Sequence, residues 1–328
     1  LHRMLGNTDR AASVLEDATA GNPRASLVLV TALVTTYREQ GRVDEARAVI
    51  DDARSVWPDL PLIHLVAAYD AFAAGDVEAA TTAVDRALEL APDDGYTLNF
   101  MGGIHHVLGD VETAQRYFER SFEVWPSCEP TQNLALVHFW SGRFEESAFY
   151  YELATRYCLT TDYQLWANLA VTQYYGRNDP VAGAESARRA IDLARAEFTV
   201  DPENTTALAR LIQCHALLAD SVHTQRYLDV AHELGSDESE LLASVAFGHE
   251  RIAQRIEALV AIDRAVRGGY PIRFVLTTPV YADLREDPRF NALRRRWEAA
   301  DASESGIRAS SREDPTKGVH DAGSSAEQ

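Results

Sequence analysis

Glycine and alanine recur together along the N-terminal half of this chain at intervals of about 34 residues. Glycines lie 35, 34, 34 and 33 residues apart, at Gly6, Gly41, Gly75, Gly109 and Gly142. Each is followed five residues later by alanine or, once, by serine, at Ala11, Ala46, Ala80, Ala114 and Ser147. Prolines keep the same period, at Pro23, Pro58, Pro92 and Pro126. Such a period predicts an array of one supersecondary unit rather than a single-core domain.

The spacing of these residues within one period predicts a pair of helices. Glycine closes the first helix because it adopts positive φ angles without steric cost. Small residues seven apart, such as Ala80 and Ala87, lie on one face of the second helix and let the two helices approach closely. Proline about 17 residues after the glycine ends that helix. The predicted fold is therefore all-α, a stacked array of helix–turn–helix units.

The pattern resembles the tetratricopeptide repeat (TPR), a helix–turn–helix unit of 34 residues. The fourth unit carries the resemblance through Leu98, Met101–Gly102, Ala114, Phe118 and Pro126, and the sixth opens with Trp166, Leu169 and Ala170. The resemblance covers roughly residues 1–270 and implies a right-handed superhelix. It predicts a truncated first repeat, about seven further repeats and C-terminal capping helices.

Departures from the 34-residue period predict where the repeat array begins and where one of its helices is longer. Gly6 falls where a first helix should already end, so we expect the chain to begin inside a repeat. The interval from Pro126 to Pro202 exceeds two periods by 8 residues, which predicts a second helix about two turns longer in the sixth repeat, beginning near Pro180. We predict a solenoid over residues 1–272, capping helices over 273–300 and a disordered tail over 301–328.

The composition of the chain disfavours several classes of function. Lysine and arginine total 31 against 50 aspartates and glutamates, a net charge of −19 that disfavours nucleic-acid binding. No apolar stretch approaches the roughly 20 residues of a membrane span, so membrane insertion is not expected. The three cysteines, Cys128, Cys158 and Cys214, are widely spaced and odd in number, which rules out a disulfide framework and any CxxC metal site as expectations. We interpret them as buried thiols of a cytoplasmic protein.

The sequence contains no catalytic signature. Phosphate-binding glycine loops, the nucleophile elbow, the HExxH zinc motif and the kinase motifs are all absent. Four histidines occupy one slot in successive repeats, where the TPR signature carries tyrosine; they are His105, His138, His215 and His249. Equivalent slots lie about 10 Å apart, too far for one metal ion, so we expect these rings to pack between helices. We therefore predict no enzyme, no cofactor and no metal.

The resemblance implies that first helices of successive repeats line a concave groove. The positions that contact ligands in TPR proteins correspond here to aromatic, amide and apolar residues: Leu65, Tyr69, Phe72, Tyr96, Asn99, His106, Gln132, Asn133, Phe139, Trp140, Gln164, Asn168, Tyr174, Tyr175 and Gln213. Asn133 and Asn168 share one slot in adjacent repeats. The lysines that clamp C-terminal carboxylates in chaperone-binding members are missing, and few charges occur in the set. The predicted partner is thus a neutral or apolar protein or peptide segment.

Two functions follow from this resemblance. The first is a protein-interaction scaffold, with an oligomeric state that the sequence leaves open. The second is the C-terminal regulatory or sensor region of a larger bacterial signalling protein, with a kinase, cyclase or winged-helix domain upstream. Tyr163–Ala170, Gly269–Tyr270–Pro271 and Leu284–Phe290 resemble segments of the TPR arrays in such proteins.

Overall fold

Helix pairs make up most of the described structure, a computed structural model covering residues 8–19, 27–159 and 161–310. Side chains are described up to residue 299. Gly6, Pro23 and the predicted tail beyond residue 310 lie outside these ranges. Two compact units divide the chain between Thr160 and Thr161. The solenoid over residues 1–272 and the capping helices over residues 273–300 stay predictions.

The first unit contains nine helices among its described residues. These are α1 (Thr8–Thr19), α2 (Leu27–Glu39), α3 (Val43–Val56), α4 (Pro61–Ala73), α5 (Val77–Leu90), α6 (Gly95–Val107), α7 (Val111–Val124), α8 (Cys128–Trp140) and α9 (Phe144–Ala154). Helices α2, α4, α6 and α8 are the first helices of four repeats, and α1 is the second helix of an incomplete one. This order confirms the predicted helix–turn–helix units.

The second unit continues the same alternation and then ends it. It contains α10 (Tyr163–Val171), α11 (Pro180–Val200), α12 (Thr205–Leu217), α13 (Ser221–Leu234), α14 (Ser239–Arg251), α15 (Arg255–Arg267), α16 (Ile272–Thr277), α17 (Ala282–Arg285) and α18 (Pro288–Ser310). Helix α11 has 21 residues against 14 in α7, which confirms the predicted extension of about two turns. None of the described helices has the length and hydropathy of a membrane span.

The sixth repeat has a feature that periodicity does not predict. Its first helix ends in a π-helical turn, Thr172–Gly176, where the backbone N–H of Arg177 bonds the carbonyl of Thr172. The following turn uses Asn178, with a φ of 51°, in place of glycine. Asp179 then caps α11 with its side chain, and Pro180 occupies the first turn as predicted.

The C-terminal helix packs on the last repeat through its apolar stripe. Phe290 and Trp297 are buried, and the indole N–H of Trp297 donates to Asp263 Oδ1 at 2.9 Å. Helix α18 begins at Pro288 and runs to Ser310, so the backbone stays helical for ten residues beyond the predicted end at 300.

The turn between the two helices of a pair requires a left-handed residue. Gly41, Gly75, Gly109 and Gly142 have φ angles of 72–82°, and the seventh and eighth repeats place Ala219 and Ala253 there at 56° and 64°. Alanine thus takes the place of glycine in the turns of these two repeats. An alanine in this conformation is strained by about 1–2 kcal/mol.

Replacing Ala219 with glycine should therefore stabilise the protein. The strain relieved exceeds the extra entropy of glycine in the unfolded chain, so we expect a net gain of about 0.5–1 kcal/mol. Gly142→Ala is the matched opposite change, because a Cβ there meets nothing within 4 Å and only backbone strain is added. Chemical denaturation should move the two midpoints in opposite directions; a shift in the same direction contradicts the strain argument.

Candidate functional site

Aromatic rings of α4 and α6 form a partly exposed cluster in the first unit. Tyr69 stacks on Phe100 with ring centroids 3.9 Å apart, and Phe72 meets the same ring edge-on at 5.8 Å. The Tyr69 hydroxyl donates to the Tyr96 hydroxyl at 3.1 Å. Burial and this hydrogen bond raise the pKa of Tyr69. Tyr69 and Tyr96 nevertheless remain 41% and 42% exposed, so they present a fixed aromatic surface to solvent. Phe100 was missed because the family mapping did not include its position.

Amide and ring pairs extend this surface from α6 to α8. Asn133 Nδ2 donates to Asn99 Oδ1 at 2.9 Å, so the fifth residue of α6 and the sixth residue of α8 form an amide pair. His106 lies parallel to Trp140 with centroids 3.9 Å apart. Each contact joins equivalent parts of neighbouring first helices. We call the residues Tyr69, Phe72, Tyr96, Asn99, Phe100, His106, Gln132, Asn133, Phe139 and Trp140 the aromatic–amide surface.

One predicted groove residue does not belong to a surface. Leu65 is only 2% exposed and lies in the core, so its assignment to a binding groove is wrong. Helix α4 is apolar on most of its circumference, and the residue at its fifth position faces inward. The other predicted residues of the first unit, Tyr69 to Trp140, are exposed or half-buried.

The predicted groove residues of the second unit differ in exposure. Gln164 is exposed, and Asn168, Tyr174 and Tyr175 are half-buried. The two tyrosines lie on the π-helical turn with centroids 4.9 Å apart, and burial raises the pKa of Tyr175 to about 12.

Charged side chains lie beside Gln213, although few charges were predicted among the groove residues. Gln213 Oε1 accepts from Arg210 at 3.2 Å, and the buried Arg210 forms an ion pair with Glu240. The sequence signal for Arg210 was available, since it occupies the sixth position of α12, one of the family's contact positions.

The cysteines correct a second prediction. Cys128, at the start of α8, and Cys158, just after α9, form a disulfide that joins the two ends of the fifth repeat. Their interpretation as free thiols is therefore wrong, although Cys214 is a buried free thiol whose pKa burial raises to about 12. An odd count excludes complete pairing but not one bond. Disulfides persist in oxidising compartments, so the thiol argument for a cytoplasmic location no longer holds.

The disulfide adjoins the aromatic–amide surface. Gln132 Nε2 lies 3.1 Å from Cys128 Sγ and 3.2 Å from Cys158 Sγ. The bond closes a loop of about 30 residues, which stabilises the folded state by roughly 3–4 kcal/mol in the chain-entropy description. The disulfide therefore fixes the fifth repeat on which Asn133 and Trp140 lie.

Thiol counting tests this pairing. The purified protein should show no reactive thiol when folded, one after denaturation without reductant, and three after denaturation with reductant. The single thiol is Cys214, which is inert in the folded state because it is fully buried. Three thiols in the denatured, unreduced protein contradict the assignment.

The repeated histidines pack within helix pairs, as predicted. Three of them stack on the tyrosine twelve residues later, with centroids 5.2–5.6 Å apart: His105 on Tyr117, His138 on Tyr150 and His215 on Tyr227. The Nδ1 atoms of His105, His215 and His249 face the residue that precedes the next helix, respectively Asp110, Asp220 and Gln254. The slot thus supports the turn between the two helices.

One of these histidines lies in a set of metal-ligand side chains. One ligand atom each from His215, Asp220 and His223 lies within 4.8 Å of the others. The expectation that no such set exists is wrong, because it compared equivalent slots of different repeats. The second histidine comes instead from the next helix of the same repeat.

Known proteins resemble this chain in structure. No protein-family model and no curated protein matches its sequence. A chain of the APC/C hetero-tetramer Cut9–Hcn1 aligns with a TM-score of 0.59 at 12% identity, over 84% of this chain and 52% of that chain. This protein therefore spans about half the length of that chain.

Two further structures are smaller and are covered almost completely. PilW, a type IV pilus biogenesis factor, aligns with a TM-score of 0.53 at 17% identity over 66% of this chain and 98% of that chain. PilF of Pseudomonas aeruginosa gives 0.51 at 17% identity over 69% and 93%. Identities this low show similarity of fold alone. The left-handed turns of its helix pairs lie 33–36 residues apart, or 41 apart across the long helix α11, and the chain has the tetratricopeptide-repeat fold.

Proposed function

We propose that the first unit is a protein-interaction module that binds an extended partner segment on the aromatic–amide surface. The observation that carries the proposal is the exposure of Tyr69 and Tyr96, which are held in place by their mutual hydrogen bond and by the stack on Phe100. Rings fixed in this way lose little conformational entropy when they are covered. Exposed aromatic side chains that are already ordered are typical of interaction hot spots.

The polar members of the surface suit a peptide backbone. The Asn99–Asn133 pair uses one amide hydrogen and one carbonyl oxygen, so each side chain retains groups that can bond a peptide N–H or C=O. An extended strand presents both at regular intervals. Side chains of the partner would contact the rings, while its backbone would bond the amides.

The lack of charged side chains on this surface favours a neutral or apolar partner segment. The aromatic–amide surface contains no aspartate, glutamate, lysine or arginine, and the nearby Asp70 is buried in an ion pair with Arg38. A strongly charged partner would have to lose hydration without gaining an opposite charge.

Alanine substitution on the two faces of the helix pairs tests the proposal. Tyr69→Ala and Trp140→Ala remove rings of the aromatic–amide surface, and each should weaken binding about tenfold or more, since such anchors contribute roughly 2 kcal/mol. Phe149→Ala is the matched control, because Phe149 is 54% exposed but lies on a second helix, α9. Partners captured from the source cell by the wild type are titrated against all three variants, with circular dichroism to verify folding.

The expected result is loss of affinity in the first two variants and none in the control, with little dependence on salt because few charges meet. Equal retention of partners by Tyr69→Ala and Trp140→Ala, or selective loss with Phe149→Ala, would place binding elsewhere. Release by moderate salt would also contradict the neutral character of the interface.

A further inference from the structure

Two imidazoles and a carboxylate converge at the turn between α12 and α13 in the seventh repeat. His215 Nδ1 lies 3.1 Å and His223 Nδ1 lies 2.8 Å from the same oxygen, Asp220 Oδ2. The two rings are stacked with centroids 4.8 Å apart. The other carboxylate oxygen, Oδ1, accepts the backbone N–H of His223 and thereby fixes the Asp220 side chain at the helix N-terminus.

The other repeats show that this combination is not part of the ordinary turn. At the three equivalent positions, the fourth repeat has His105, Asp110 and Thr113, and the eighth has His249, Gln254 and Glu257. The His–Asp contact supports the turn in more than one repeat, whereas the second histidine occurs in the seventh alone among these. His223 therefore adds a group that the turn does not require.

We propose that His215, Asp220 and His223 bind one divalent transition-metal ion of the Zn²⁺ type. Two neutral imidazoles and one carboxylate are a ligand set that such ions prefer. Bonds of about 2.0–2.2 Å place neighbouring ligand atoms roughly 3–3.5 Å apart, close to the separations from Asp220 Oδ2 to the two nitrogens. When the metal binds, it replaces the protons that lie between Asp220 Oδ2 and the Nδ1 atoms of the two histidines.

The surroundings support the ligands and leave room for the ion. His215 is only 4% exposed and is held by its stack on Tyr227, so its orientation is fixed. His223 and Asp220 are partly exposed, so His223 can rotate to direct its lone pair at the ion, and water can complete the coordination.

The experiment is a Zn²⁺ titration of the full chain after removal of any affinity tag and treatment with a chelator. Calorimetry measures stoichiometry and affinity, and Co²⁺ absorption reports the coordination. We expect one ion per chain. His223→Thr recreates the His105–Asp110–Thr113 arrangement of the fourth repeat and should weaken binding at least about tenfold, since even outer-shell partners of metal ligands contribute 10–100-fold.

His105→Ala is the matched control, because it removes a histidine that also faces an aspartate, Asp110, and it should leave the affinity unchanged. Asp220→Asn preserves helix capping but should also weaken binding, since a neutral amide replaces the anionic ligand. Zn²⁺ should raise the melting temperature of the wild type and not that of His223→Thr. Equal affinity of wild type and His223→Thr, or no saturable binding, overturns the proposal.

Discussion

Close approach of the two helices within each pair is the constraint on which the structure depends. In the fourth repeat, a Cβ added to Gly102 would lie 2.6 Å from two ring carbons of Phe118, and Ala114 has no exposed surface. Where serine replaces alanine in the small slots, its hydroxyl bonds a carbonyl of the opposite helix, as Ser121 does to Gly95 and Ser147 to Ala135. A buried hydroxyl is tolerated there because it is satisfied. Larger side chains would separate the helices and alter the repeat.

The surface proposed for binding is a consequence of that close packing. Once each pair is fixed, side chains on the first helices of neighbouring repeats come into contact with one another. Tyr69 meets Tyr96, Asn99 meets Asn133, and His106 meets Trp140, at separations of 27, 34 and 34 residues in the sequence. The side chains are thereby ordered before any partner arrives. Binding can then use their contact area without the cost of ordering them.

The repeat itself was predictable because its signals are local. The left-handed glycines from Gly41 to Gly142 and the start of the long helix α11 at Pro180 follow from neighbouring residues alone, and both are observed. The burial of Leu65 and the π turn at Thr172–Gly176 were not predictable in this way. Both depend on how far each helix is rotated against its partner, which a periodic pattern does not specify.

Contacts between different helices were the main source of error at the candidate sites. The Cys128–Cys158 bond joins the beginning and the end of one repeat, which the sequence separates by 30 residues. His223 approaches His215 from the following helix, whereas the sequence comparison aligned only equivalent slots. A search for reactive groups within one repeat, across its turn and between its ends, would have found both.

Hydrogen exchange on the complex tests the central claim that the first helices of the first unit carry the binding surface. Amide exchange is measured by mass spectrometry for the protein alone and with its captured partner. The account predicts added protection in peptides from α4, α6 and α8, with little change in α5, α7 and α9. Protection confined to the second helices, or to the second unit, would contradict it.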